Sequence, residues 1–205
     1  MKVCLLFEQS GTFKRIFNNL GHNAVDVDIA NDYGETDIQI DLFACIENNT
    51  IKFINNYDLV IAFYPCTWFS NSNDLIYRRQ QPQFKTWSDK QIDIYINNRL
   101  EQYERAKMCL IKMIDVCNVP LIIENPRSTR ICEILGQPQL YIKDRSIHGD
   151  VLKKPTFFYC YNGCKINDLD IIVKKRGKDV VHLSKNERSL ISHEFALNFI
   201  SKINY

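Results

Sequence analysis

The run Lys2-Val-Cys-Leu-Leu-Phe7-Glu-Gln-Ser-Gly11-Thr-Phe13, continued through Gly21 to Asn23-Ala-Val-Asp-Val-Asp28, decides the fold. Its first residues are apolar without alternation, the pattern of a strand covered on both faces. Glu8 to Gly11 end that run, and Phe13, Ile16, Phe17 and Leu20 then recur at helical spacing. Gly21 falls where a helix stops on a glycine, since a residue without Cβ takes the left-handed conformation at little cost. Asn23 to Asp28 reads as a second strand closing in an acid. Strand, glycine turn, helix and strand make the first half of a nucleotide-binding βαβ unit.

Outward from this unit the alternation continues. Asp37 to Asp41 is expected to be a short third strand, followed by a helix from Leu42 to Ile54. Leu59-Val-Ile-Ala-Phe63 suits a central parallel strand and runs straight into Tyr64-Pro65-Cys66-Thr67. Residues 70 to 88 are polar and aromatic, the composition of a long functional loop. From Asp89 to Cys117 a helical period sets Ile92, Ile96, Leu100, Tyr103, Leu110 and Ile114 on one face, and the strand Val119 to Ile123 leads into Glu124-Asn125-Pro126. Gln139–Ile142, Thr156–Tyr161 and Asp170–Val173 are further candidate strands, two of them antiparallel. A last helix is expected to open at a capping box, Ser184-Lys-Asn-Glu187, and to carry Leu190, Ile191, Leu197, Ile200 and Ile203 into the core. The expectation is an α/β fold, a doubly wound, mainly parallel Rossmann-like sheet between two helical layers. Without repeat or composition break it forms one domain over residues 1–205. Ligands of such sheets bind at the carboxyl ends of the strands, where Glu8 to Gly11, Asp28, Tyr64 to Thr67 and Glu124 to Arg127 all fall.

Composition narrows the function. The chain has 205 residues, 45% hydrophobic and 24% charged, with 26 Lys and Arg against 24 Asp and Glu. A net charge of +2 makes no global field for a polyanion, so nucleic acid would be held locally, by Arg78-Arg79, Lys153-Lys154 or Lys174-Lys175-Arg176. No stretch approaches the roughly 18 apolar residues of a membrane helix, and the first residues lack the pattern of a signal peptide. The expected location is the cytoplasm. None of the eight Cys forms a Cys-x-x-Cys pair or has zinc spacing with His, so no metal is expected.

Among the strand-end residues, Gly11 permits close backbone approach to a ligand, and Asp28 stands where such folds accept hydrogen bonds from ribose hydroxyls. Cys66, after Pro65 in a tight turn, suits a nucleophilic thiolate, although a buried packing thiol is the commoner role of cysteine. Glu124 follows a hydrophobic strand, a setting in which desolvation favours the protonated acid.

Phe7-x-x-x-Gly11-x-Phe13, the acid at Asp28, Pro65-Cys66 with Phe69-Ser70 beyond it, and Ile123-Glu124-Asn125-Pro126 together resemble the cytosine-carbon-5 DNA methyltransferases, most of all the short forms of phage and mobile elements. The likeness runs from about residue 3 to 127, with an echo in His148-Gly-Asp-Val-Leu-Lys-Lys-Pro-Thr156. It implies a class I methyltransferase-like domain with S-adenosylmethionine against Phe7, Gly11, Phe13 and Pro65, its ribose on Asp28 and its adenine near Asp41. It implies Cys66 as the nucleophile at carbon 6 of cytosine and Glu124 as the acid at ring nitrogen 3. Thr67, Ser70, Asn125, Arg78 and Arg79 would face the substrate, a DNA base or a cytidine nucleotide. The sequence departs from the family at Gln9 and Thr12, where glycines are usual, and at Thr67. Lys153, Lys154 and Thr156 are the nearest candidates for the family's arginine motif. A separate target-recognition domain is not expected within these 205 residues, and a small or loosely recognised substrate, a protein partner or a second copy of the chain is the corresponding expectation. Two alternatives stand beside this reading: a degenerate methyltransferase fold that binds a nucleotide or nucleotide-like signal without methylation, and a different nucleotide-modifying enzyme on the same scaffold.

Overall fold

The computed structural model describes residues 1–69, 82–172 and 190–204. In chain order its elements are β1 (Lys2–Leu6), α1 (Thr12–Asn19), β2 (Asn23–Asp28), β3 (Ile38–Gln39), α2 (Leu42–Glu47), β4 (Leu59–Phe63), α3 (Asp89–Val116), β5 (Leu121–Pro126), α4 (Thr129–Leu135), β6 (Leu140–Ile142), β7 (Thr156–Tyr161), β8 (Lys165–Ile166), α5 (His193–Ile200) and β9 (Ile203–Asn204). Short 3-10 helices fill Ile51–Asn56, Pro82–Phe84 and Arg145–His148.

Seven strands make one sheet in the order β3-β2-β1-β4-β5-β7-β6. The first five are parallel, while β7 runs antiparallel to both β5 and β6. Strand pleating explains the apolar runs. Val3, Leu5, Leu59, Ile61 and Ile122 point to the layer of α1 and α5, where they meet Phe13, Phe17, Phe195 and Phe199. Cys4, Leu6, Val60, Ala62, Leu121 and Ile123 point to the other layer and meet Ile46, Leu110 and Met113 of α2 and α3. Each Val, Leu, Ile, Phe or Met side chain among them taken fully from water stabilises the fold by about 1.5–3 kcal/mol before entropy is counted. The result is an α/β fold around a mostly parallel sheet, with the strand-end segments gathered along its carboxyl edge.

Several local expectations need correction. The helix expected from Leu42 to Ile54 stops at Glu47, because Asn49 turns left-handed at φ 59° and the N–H groups of Asn49 and Thr50 bond back to Ile46 and Cys45. Asp170 to Ile172 form no strand, and Val173 lies outside the described residues. The last helix begins at His193, with Ser192 Oγ accepting from the Phe195 N–H at 3.2 Å. The Ser184 to Glu187 box lies outside the described residues. Leu190 and Leu197 are exposed, and Phe195, Ala196 and Phe199 fill the core in their place. The face of α3 also differs: Leu100 is exposed, and Ala106, Cys109 and Met113 join Ile92 and Leu110 inside. No helix among the described residues is long and apolar enough to cross a membrane.

Candidate functional site

β4 delivers Tyr64, Pro65 and Cys66 to the edge of the sheet. Tyr64 is buried, and its hydroxyl donates to the Ala106 carbonyl of α3 at 2.7 Å. Its ring meets Phe7, Phe43 and Phe69 edge-on or tilted, at 5.1, 5.8 and 5.9 Å. This anchored ring holds the chain where it leaves the strand. Pro65 and Cys66 are half-buried, Thr67 is exposed, and the Phe69 N–H closes the turn on the Cys66 carbonyl at 3.1 Å. Cys66 takes no part in a disulfide. Burial pushes the thiols of Cys4, Cys109 and Cys117 upward, which makes them poor nucleophiles; Cys66 is half-buried at the strand end.

β5 places its acid beside that turn. Phe63 is in register with Glu124 across the parallel pair, so Cys66 follows three residues after the position abreast of the carboxylate. Asn125 ties the two strand ends together, its Nδ2 donating to the Tyr64 carbonyl at 2.9 Å. Glu124 and Asn125 are buried, as is Arg145, whose Nη1 lies 3.8 Å from Glu124 Oε1. Arg145 Nε donates to Asp150 Oδ2 at 2.5 Å and its Nη2 is ion-paired with the same oxygen. The guanidinium also lies 4.9 Å over the ring of Phe195.

Among the described residues, Glu124 Oε1, Asn125 Oδ1 and Arg145 Nη1 are buried without a hydrogen-bond partner, while Arg145 Nη2 is held in its ion pair with Asp150. Each buried polar atom left so costs about 1–3 kcal/mol. Glu124 Oε1 and Arg145 Nη1, 3.8 Å apart on the face of the sheet covered by α1 and α5, form a buried polar recess suited to a ligand that offers both donors and acceptors, whereas Asn125, next along β5, points to the other face. Arg145 and Asp150 were not picked out from the sequence. Asp150 falls within the His148-Gly-Asp segment, whereas Arg145 precedes it and has no signal of its own, because a lone arginine in a loop carries no periodicity. Gly149 seats that segment: a Cβ there would come within 2.8 Å of Glu194 Cγ, and its carbonyl accepts from Ser192 Oγ at 2.7 Å.

The other half of the expected site lies at β1 and β2. Phe7 leaves β1 at φ 59°, a strained conformation for an aromatic residue, and its ring packs on Phe43 and Tyr64. Glu8 fills the turn that follows, Oε1 accepting from the Ser10 N–H at 3.1 Å and Oε2 from the Gly11 N–H at 2.9 Å. Gly11 sits at φ 69°, and a Cβ there would clash at 2.7 Å with both Arg15 Nη1 and Glu35 Oε2. Phe13 is given to the core, its ring 4.7 Å from that of Phe63. Asp28 is half-buried at the end of β2 and accepts from the Ala30 N–H at 2.8 Å; burial holds its carboxyl above the usual range against those backbone bonds. Asp41 is exposed and caps α2, accepting from the Ala44 N–H at 3.1 Å.

Ser70, Arg78, Arg79 and the run 174–176 lie outside the described residues. Lys153 and Lys154 are half-buried, and Thr156 is buried in β7 opposite Pro126. No group of three His, Cys, Asp or Glu side chains among the described residues is arranged to hold a metal. A cleft of about 410 Å³, lined by Lys2, Asn23, Val25, Ile38, Phe53 and Tyr57 among others, lies elsewhere, beside the amino ends of β1 and β2. It includes none of the candidate residues.

No protein-family model and no curated protein sequence matches the chain.

Proposed function

We propose that the protein is an S-adenosylmethionine-dependent methyltransferase acting on carbon 5 of cytosine, or a related pyrimidine, in DNA or a nucleotide. The observation that carries this reading is the Phe63–Glu124 register with Arg145 facing the acid, which sets a thiol and a buried carboxylate at neighbouring strand ends. The strand order, with β7 reversed between β5 and β6, fits the class I methyltransferase-like domain implied by the sequence resemblance.

In this mechanism the Cys66 thiolate adds to carbon 6 of the ring while Glu124 shares a proton with ring nitrogen 3, so that charge does not build up there. Arg145 is a positioning residue, held by Asp150 and directed at Glu124. S-adenosylmethionine, when bound, would supply the electrophilic methyl group that the resulting enamine carbon accepts. Loss of the carbon-5 proton then expels Cys66 and restores the ring. A base in duplex DNA would have to be flipped out to reach the recess. Asp28 is suited to the adenosine end of that cofactor. The amides of Ser10 and Gly11 are already taken by Glu8 and do not present themselves to its amino-acid end.

A second reading, a module that binds a nucleotide or nucleotide-like signal without methylating anything, is favoured by that same self-filled turn. One experiment separates the two. Wild type incubated with S-adenosylmethionine and DNA carrying 5-fluorocytosine should form a covalent adduct seen by mass spectrometry, because fluorine cannot leave as a proton. Cys66→Ser should fold normally and form none. Ligand binding without adduct or methyl transfer would favour the binding module, and full activity in Cys66→Ser would remove the thiol from the mechanism.

A further inference from the structure

The turn between β1 and α1 is closed by the chain itself. Ser10 and Gly11 direct their N–H groups at Glu8, the Ser10 hydroxyl donates to the same carboxylate, and the Thr12 N–H is taken by Ser10 Oγ at 3.3 Å. These are the donors that a strand–turn–helix unit ordinarily offers to an acidic group of a ligand. Glu8 is itself buried. Behind it lies Asp26, fully buried on β2, with neither oxygen finding a donor. Two carboxylates offer each other only lone pairs, so their contact needs a proton. Burial, then the neighbouring Glu8, pushes the Asp26 carboxyl up to about 9, against the pull of Lys14. At neutral pH Asp26 is therefore the donor and Glu8 the acceptor. The charged groups around the pair are Lys14, 3.9 Å from Asp26 and 3.1 Å from Asp37; Glu35, paired with Arg15 at 2.7 Å; and Asp28 at the end of β2.

We propose that Glu8 is a built-in carboxylate occupant of the β1–α1 turn, held by Asp26, which denies the turn's amides to a ligand carboxylate or phosphate and makes the site select adenosine-type ligands by their nucleoside end. The selection of adenosine-type ligands rests on the reading that such a ligand lies between this turn and Asp28; the occupancy of the turn does not. An acidic end arriving at Ser10 and Gly11 meets a carboxylate of like charge already in place. The buried aspartate explains why Glu8 stays: displacing it would leave Asp26 without an acceptor.

The test uses the full chain, as wild type, Glu8→Ala and Glu8→Gln. Inorganic sulfate is titrated while the Ser10 and Gly11 amide signals are followed by nuclear magnetic resonance, and affinities for adenosine and S-adenosylmethionine are measured by calorimetry. Sulfate should leave the wild-type amides unmoved and shift them in Glu8→Ala. Glu8→Gln, which keeps the volume and one acceptor, should respond in between. Wild type should bind the two adenosine compounds about equally, and Glu8→Ala should gain about tenfold for S-adenosylmethionine over adenosine, the worth of one charge-assisted contact. Sulfate shifts in wild type as large as in the variants would overturn the proposal, as would folded variants whose amides ignore sulfate. If sulfate behaves as expected and neither adenosine compound binds any form, the cofactor reading fails and Glu8 remains the occupant of the turn. If Glu8→Ala does not fold, the same comparison is made with Glu8→Gln.

Discussion

In the turn after β1 the chain answers its own amides: Glu8 takes them, Asp26 lies buried behind it, and Arg15 and Glu35 close over Gly11. At the ends of β4 and β5 no side chain among the described residues fills the corresponding place, and Glu124, Asn125 and Arg145 keep buried atoms without hydrogen-bond partners. Both regions occupy the carboxyl edge of one sheet, so topology alone does not set them apart. The difference lies in where each glutamate stands relative to its strand. Glu8, two residues beyond β1, turns onto the amides that follow it, whereas Glu124, within β5, stands perpendicular to the sheet and reaches only what packs above it.

The largest effect expected from this contrast is on stability. Arg145→Ala should cost about 3–5 kcal/mol, because Glu124 and Asp150 would remain buried without their cation. Urea unfolding measures it. A loss below about 1 kcal/mol, the value of an exposed pair, would mean that water already reaches these acids and that the recess is ordinary surface.

Asp28 tests the closed region for a ligand. Asp28→Ala should weaken binding of an adenosine compound by about 1.5–3 kcal/mol, and Asp28→Asn by less, since an amide oxygen can still accept from Ala30. Equal calorimetric affinity in wild type and Asp28→Ala would remove this residue from the site.

Asp26 comes next. Its carboxyl keeps its proton in the folded chain up to about pH 9 and loses it near the ordinary aspartate value of about 3.9 when unfolded. Between those values the native state holds the extra proton, so stability is full below the window, falls as pH rises through it, and has lost this contribution above about 9. The slope is at most about 1.4 kcal/mol per pH unit. Asp26→Asn, which is neutral at every pH, should flatten the fall in melting temperature between about pH 5 and about pH 9. Parallel curves for the two proteins would show that another group carries the titration.

The parallel strands were legible because burial on both faces leaves an unbroken apolar run, as in Leu59 to Phe63. Direction was less so: Thr156 to Tyr161 would read alike in either sense, and only its pairing with Leu121 to Pro126 reveals the reversal. The helix Thr129–Leu135 was missed although Ser128 and Gly136 bound it, since so few residues carry little periodicity. Of the candidate site, the thiol and the acid could be read from the segments around them. Arg145 could not, because its significance is a contact made across the fold with Glu124.

Asp41 should give the smallest effect, and it asks whether the closed region extends to the start of α2. The residue is exposed, and its visible work is to accept the Ala44 N–H at 3.1 Å. A helix of six residues depends on such a cap, and this one carries Phe43, whose ring lies 5.7 Å from Phe7 and 5.5 Å from Trp68. Asp41→Ala should therefore cost about 1 kcal/mol of stability, while Asp41→Asn, an equally good cap, should cost almost nothing. Adenosine affinity separates capping from contact with ligand. If Asp41 only caps, the asparagine variant binds as wild type does. If that variant keeps its stability but loses affinity, the carboxylate reaches the ligand directly, and the β1–β2 region is less closed than its hydrogen bonds indicate.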